Sequence, residues 1–133
     1  MNQTIQNIIV SNGFDSSCHD YAQYFIKDGW IDLVGFMEFS SWLSGADHIR
    51  SEDAGWQEAK DAGFDIKEWE TNNDGKQRIE HGYRDGERRD INERFSVQFD
   101  GCAGPMYPRD PDVCDDDTIN CRCGMRFWMN EGN

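Results

Sequence analysis

The 133-residue sequence predicts an α+β domain, with short N-terminal helices packed on a small antiparallel sheet. Three observations point there. Tyr21 and Phe25, then Leu33, Phe36 and Phe39, recur at three- and four-residue steps on either side of Gly29, the spacing of a helix face. Later segments, Phe64–Trp69, Phe95–Phe99 and Ile119–Trp128, instead carry the short alternation of strands. All three prolines fall between Gly101 and Asp117 among many aspartates, which makes that stretch a long acidic loop before the last strand.

The elements follow in order. An apolar run, Ile5–Val10, ends at the turn signal Ser11-Asn12-Gly13. Two short helices are expected between Cys18 and Leu43, broken at Asp28-Gly29, with the aromatic stripe packed into a core or docked on a partner. Ser44-Gly45 is a break. Asp47–Ala62 reads as a third helix with Gly55 as a weak point and Gly63 as its C-terminal stop. Phe64–Trp69 alternates and reads as a half-buried strand. Thr71–Gly75 is a turn, and Lys76–Tyr83 a short helical segment carrying Arg78 and His81. Phe95–Phe99 is the second strand. In the last strand, Cys121, Cys123, Met125 and Phe127 share one face, because residues i and i+2 point the same way. The chain divides into an aromatic-rich helical segment, 1–45, and an α+β part, 46–133.

Composition narrows the function classes. Thirteen Lys and Arg against 26 Asp and Glu give a formal net charge of −13. Such a surface repels nucleic acid and anionic membranes, so direct DNA binding through many phosphate contacts is not expected. Arg78, Arg84, Arg88, Arg89 and Arg94 do cluster, but Glu80, Asp85, Glu87, Asp90 and Glu93 stand among them to pair with. Five Trp and eight Phe can fill a small core with few residues. No secretory leader or membrane span is read from the sequence. The five cysteines (Cys18, Cys102, Cys114, Cys121 and Cys123) are then expected reduced, as core or ligand residues.

Candidate site residues concentrate in the second half. Arg50-Ser51-Glu52 leads to Trp69-x4-Asp74-x3-Arg78-x2-His81-x4-Gly86, then Pro108-Arg109-Asp110 and Asn120-Cys121-Arg122-Cys123. In this order and spacing the set resembles the phage head morphogenesis family, the Mu protein F-like minor head proteins. The resemblance spans roughly residues 46–128. It implies a minor head component of a tailed phage or prophage, a binding protein and not an enzyme. Its partners would be portal or capsid proteins, within an oligomeric ring of the particle. It would assemble in host cytoplasm and remain in the virion head. Family members commonly carry a longer helical region ahead of this domain. Here about 45 residues precede the match, and they are unusually aromatic.

The residues permit other readings beside that one. His81, Cys121 and Cys123 can form three corners of a tetrahedral structural zinc site, with Asp74, Cys102 or Cys114 as the fourth. The alternative is that the thiols are small buried side chains and His81 bonds a backbone carbonyl. Many relatives have a His two residues before Asn-Cys-Arg-Cys. Thr118 stands there in this chain. The Asp110, Asp112, Asp115–Asp117 run lacks calcium-loop spacing and reads as a solvated loop. Asp74, Arg78 and His81 could do acid–base work on a phosphodiester. No activated nucleophile or phosphate-cradling loop accompanies them, so helix capping by Asp74 and ion pairing by Arg78 are the plainer roles. Glu52 could pair across to the sheet, with Arg78, the alternative being an ordinary exposed helix surface. The rival classes are a metal-stabilised phage effector and a nuclease-like domain outside the virion.

Overall fold

A computed structural model describes residues 3–45, 51–70, 85–97, 103–113 and 123–129. The architecture is α+β: helices at the N-terminus and a five-stranded sheet in which every neighbouring pair is antiparallel.

The apolar run near the start forms helix α1 (Gln3–Ser11), whose Ile5, Ile8 and Ile9 are buried at helical spacing. Helix α2 (Cys18–Tyr21) runs on into a 3-10 turn, Ala22–Phe25. The break at Asp28-Gly29 is more than a helix boundary. It is the turn of a β-hairpin between β1 (Ile26–Lys27) and β2 (Trp30–Ile31). Asp28 and Gly29 both have positive φ, 53° and 87°, as a two-residue turn matched to the strand twist requires. The aromatic period on both sides suggested helix, so the hairpin replaces the end of the first expected helix.

Helix α3 (Leu33–Leu43) is capped by the Asp32 carboxylate, which accepts from the Gly35 N–H. Helix α4 (Glu52–Asp61) is capped by the Ser51 hydroxyl, which accepts from the Ala54 N–H at 3.1 Å. Gly55, weak in helix propensity, is also the close approach between these helices. A Cβ there would run into the Val34 side chain.

The sheet order is β1-β2-β5-β3-β4, with β3 at Ile66–Glu70, β4 at Arg88–Asp90 and β5 at Gly124–Trp128. β5 is the hub: Phe127 sits opposite Ile31 on one side and Lys67 on the other. Residues 26–31 therefore share one sheet with the later strands. One core also joins Ile5, Phe36, Ala59, Trp69, Met125 and Phe127.

Two strand expectations need correction. Phe95–Val97, the described part of the expected Phe95–Phe99 strand, is not in a strand, and Gln98 and Phe99 lie outside the described residues; the strand that pairs with β3 here is the charged Arg88–Asp90. Phe95 instead donates its N–H to the Pro105 carbonyl and sets its ring edge-on against Trp69, centroids 5.0 Å apart. In β3 the alternation has the opposite phase from the one its apolar residues suggest. Trp69 faces the core, so Lys67 does too, while Ile66 is 38% exposed. The stretch 103–113 has no helix or strand, as expected of a loop, but it is not the solvated loop read from its aspartates: Tyr107, Pro108, Asp110 and Val113 are buried, while Asp115–Asp117 lie outside the described residues. In β5, Cys123, Met125 and Phe127 are all buried on one face, as their spacing indicated.

Candidate functional site

The family-like residues that the structure describes are mostly buried. Glu52, Trp69, Asp110 and Cys123 are each at most 3% exposed, Pro108 is buried, and Gly86 is exposed with φ 81°. Arg50, Asp74, Arg78, His81, Asn120, Cys121 and Arg122 lie outside the described residues, as do Cys102, Cys114 and the Lys76–Tyr83 helix. The expected zinc corners His81 and Cys121 and the Glu52–Arg78 pair therefore fall there too. Among the described residues, no three His, Cys, Asp or Glu groups gather to hold a metal ion.

Two charged centres organise the described part of this set. The first is Lys67, which is fully buried. Its ammonium donates to the Met106 carbonyl at 2.6 Å and stands 4.7 Å from the Phe95 ring centroid. Burial pulls its pKa down to about 8, against the opposing attraction of Asp110, Asp90 and Glu93. Asp110 in turn accepts from the N–H groups of Met106 and Asp112. The Pro-x-Asp turn is thus folded around its own carboxylate and tied to the centre of the sheet by one lysine. Tyr107 packs on Trp56, centroids 5.3 Å apart. Burial, then the charge of Asp53 and Asp110 and a hydrogen bond with Asp53, raises its phenol well above its usual range.

The second centre lies on the other face of the sheet. Glu68, 3% exposed, takes Arg88 Nε at 2.7 Å from β4 and Arg126 Nε at 2.7 Å from β5. Both guanidinium groups also lie over the Trp30 ring, at 4.8 and 5.7 Å. Arg89 pairs with Glu87 at 2.9 Å. Burial alone would raise Glu87, but hydrogen bonds from Ser96 and Arg89 outweigh it and hold the carboxyl low. The described arginines of the basic cluster are therefore engaged: Arg94 donates to the Gly104 carbonyl. Sequence reading placed Arg89 with its neighbours correctly in kind, but missed Lys67 and Glu68. The signal available was two adjacent ionised residues directly before Trp69 in an apolar strand.

Among the exposed large apolar residues, which include Val10, Ile66 and Val97, three are aromatic and lie close together. Tyr24 and Trp42 are 75% and 71% exposed, and Tyr21 is 37% exposed. They form a chain of ring contacts, Tyr24–Tyr21 at 6.3 Å, Tyr21–Phe39 at 5.3 Å and Phe39–Trp42 at 5.8 Å, anchored beneath by Phe25. The aromatic residues of this region divide between core and surface. Phe36 enters the core, while Tyr21, Tyr24 and Trp42 stand out from it. Beside Tyr24 is a hollow of about 190 Å³ lined also by Lys27, Trp30, Asp32, Glu70 and Arg126. Burial raises the Glu70 carboxyl there. The hollow is smaller than the roughly 300–1,000 Å³ of a small-molecule pocket. The ridge, not the hollow, is the better functional candidate.

No protein-family model matches the chain. Searches of curated proteins and of solved structures return no match either. Among the described residues, no helix is long and apolar enough to cross a membrane.

Proposed function

We propose that this chain is a minor head component of a tailed phage or prophage, acting by protein–protein binding near the portal or the inner capsid surface. The observation that carries this reading is the exposed ridge of Tyr21, Tyr24, Phe39 and Trp42. Exposed aromatics that contact one another are costly to leave in water and are enriched at protein interfaces. The ordered motif from Arg50-Ser51-Glu52 to Asn120-Cys121-Arg122-Cys123 supplies the link to head proteins.

In this account the motif residues build the platform and the ridge makes the contact. Trp69, Lys67 and Asp110 lock the Pro-x-Asp turn onto the sheet. Glu68 ties its own strand to both neighbours, β4 and β5. The surface charge of −13 keeps the protein off packaged DNA. No turnover is involved.

The test is removal of the gene from an inducible lysogen, followed by electron microscopy of the lysate. Aberrant or empty heads, restored by the parent gene in trans, are the expected result. Normal heads in normal number, with full infectivity, would exclude a role in head assembly.

A further inference from the structure

We infer that the ridge is a docking site for one basic amphipathic helix of a partner protein. The inference rests on the binding role proposed above and specifies its ligand. Two observations select this occupant, charge and area.

The charge is one-sided. Residues 1–45 carry Asp15, Asp20, Asp28, Asp32 and Glu38 against one Lys or Arg, Lys27, and one histidine, His19. Asp20 adjoins Tyr21 on α2, and Glu38 adjoins Phe39 on α3. An apolar ridge on so acidic a segment is complementary to an apolar stripe flanked by Lys and Arg, although Lys27 and Arg126 stand with Asp32 and Glu70 in the hollow beside Tyr24. It is repulsive toward a second copy of itself.

The area points the same way. Tyr24, Trp42 and Tyr21 expose 75%, 71% and 37% of themselves. At roughly 150–250 Å² per aromatic side chain this comes to on the order of 300–450 Å². That is well short of the roughly 800 Å² per partner of a standard protein–protein interface. It suits the narrow apolar face of a single helix, read as anchors at i, i+3, i+4 and i+7. The ring contacts run from Tyr24 in the 3-10 turn through Tyr21 to Phe39 and Trp42 on α3, four rings joined in succession.

The probes are two synthetic 18-residue amphipathic peptides with an identical Leu/Trp stripe, one bearing Lys on its polar face and the other Glu. Binding to the full chain is followed by calorimetry at low salt and at about 0.5 M salt. The Lys peptide is expected to bind, more weakly at high salt, and the Glu peptide is not. The double variant Tyr24→Ser/Trp42→Ser, its fold checked by circular dichroism, should weaken the Lys peptide at least tenfold. Asp20→Asn/Glu38→Gln keeps the ridge and should weaken it several-fold while flattening the salt dependence. Equal binding of the Lys peptide to parent and ridge variant would overturn the inference, since any acidic surface would then serve. Binding of neither peptide would overturn it as well. So would a parent that sediments as a dimer while the ridge variant sediments as a monomer, because a second copy would then be the occupant. None of these results bears on whether the lysogen needs the gene, so the two proposals fail separately.

Discussion

Lys67 should make this protein more stable in mild alkali than at neutral pH. Its ordinary pKa of 10.5 falls to about 8 in the fold, with burial as the main cause. The folded state therefore gives up the proton first. Between pH 8 and 10.5 unfolding must take a proton up, so stability rises with pH across that window and falls away as pH drops toward 8. The full difference corresponds to about 3 kcal/mol. From pH 7.5 to pH 9.5 roughly 1–2 kcal/mol of it should appear. Tyr107 acts in the opposite sense, because its raised pKa removes stability only above its ordinary value of 10, so the comparison stops at pH 9.5. The assay is urea denaturation of the parent and of Lys67→Met at pH 7.5, 8.5 and 9.5. Other groups titrate equally in both proteins, so the difference isolates the lysine. The parent should gain about 1–2 kcal/mol on the variant over this range. Parallel profiles would show that Lys67 is not a buried, desolvated ammonium, and the clamp on the Pro-x-Asp turn would fall with it.

Three further substitutions probe the frame. Gly55→Ala improves helix propensity by about 1 kcal/mol, yet the new Cβ meets Val34, so a net loss of about 1–2 kcal/mol is expected in thermal melts. Unchanged or higher melting temperature would mean that α3 and α4 are not in close contact. Glu68→Gln leaves the guanidinium groups of Arg88 and Arg126 without their carboxylate and should cost about 2 kcal/mol, reduced from a fully buried pair because Arg88 is 62% exposed. Its effect should shrink in Arg126→Met, as measured by a double-mutant cycle. Ser51→Ala removes the cap on α4 and should cost about 1 kcal/mol, with Ser51→Asp close to the parent.

The parts of the fold legible in the sequence were those written in apolar spacing. Phe36 and Met125 declared their faces through periods of 3.6 and 2, and Gly63 marked the end of α4, whereas the Ser51 cap was passed over for a start at Asp47. The hairpin at Asp28-Gly29 was written in turn chemistry and was hidden by the aromatic period around it. β4 could not be found by pattern, because Arg88-Arg89-Asp90 offers no apolar face; it forms because Glu68 waits on the neighbouring strand. Lys67 was hidden for a related reason. A lysine in a short strand reads as the solvent side until Trp69 fixes the phase. The ridge was half legible: the stripe was visible, but which rings face water depends on how the 3-10 turn packs against α3.

The central claim, that this chain belongs to a phage head, is tested most directly by quantitative mass spectrometry of purified particles, scaled to the portal and major capsid proteins. The account predicts a fixed stoichiometry per particle that survives density-gradient purification. Copy numbers that vary between preparations, or complete absence from infectious particles, would contradict it.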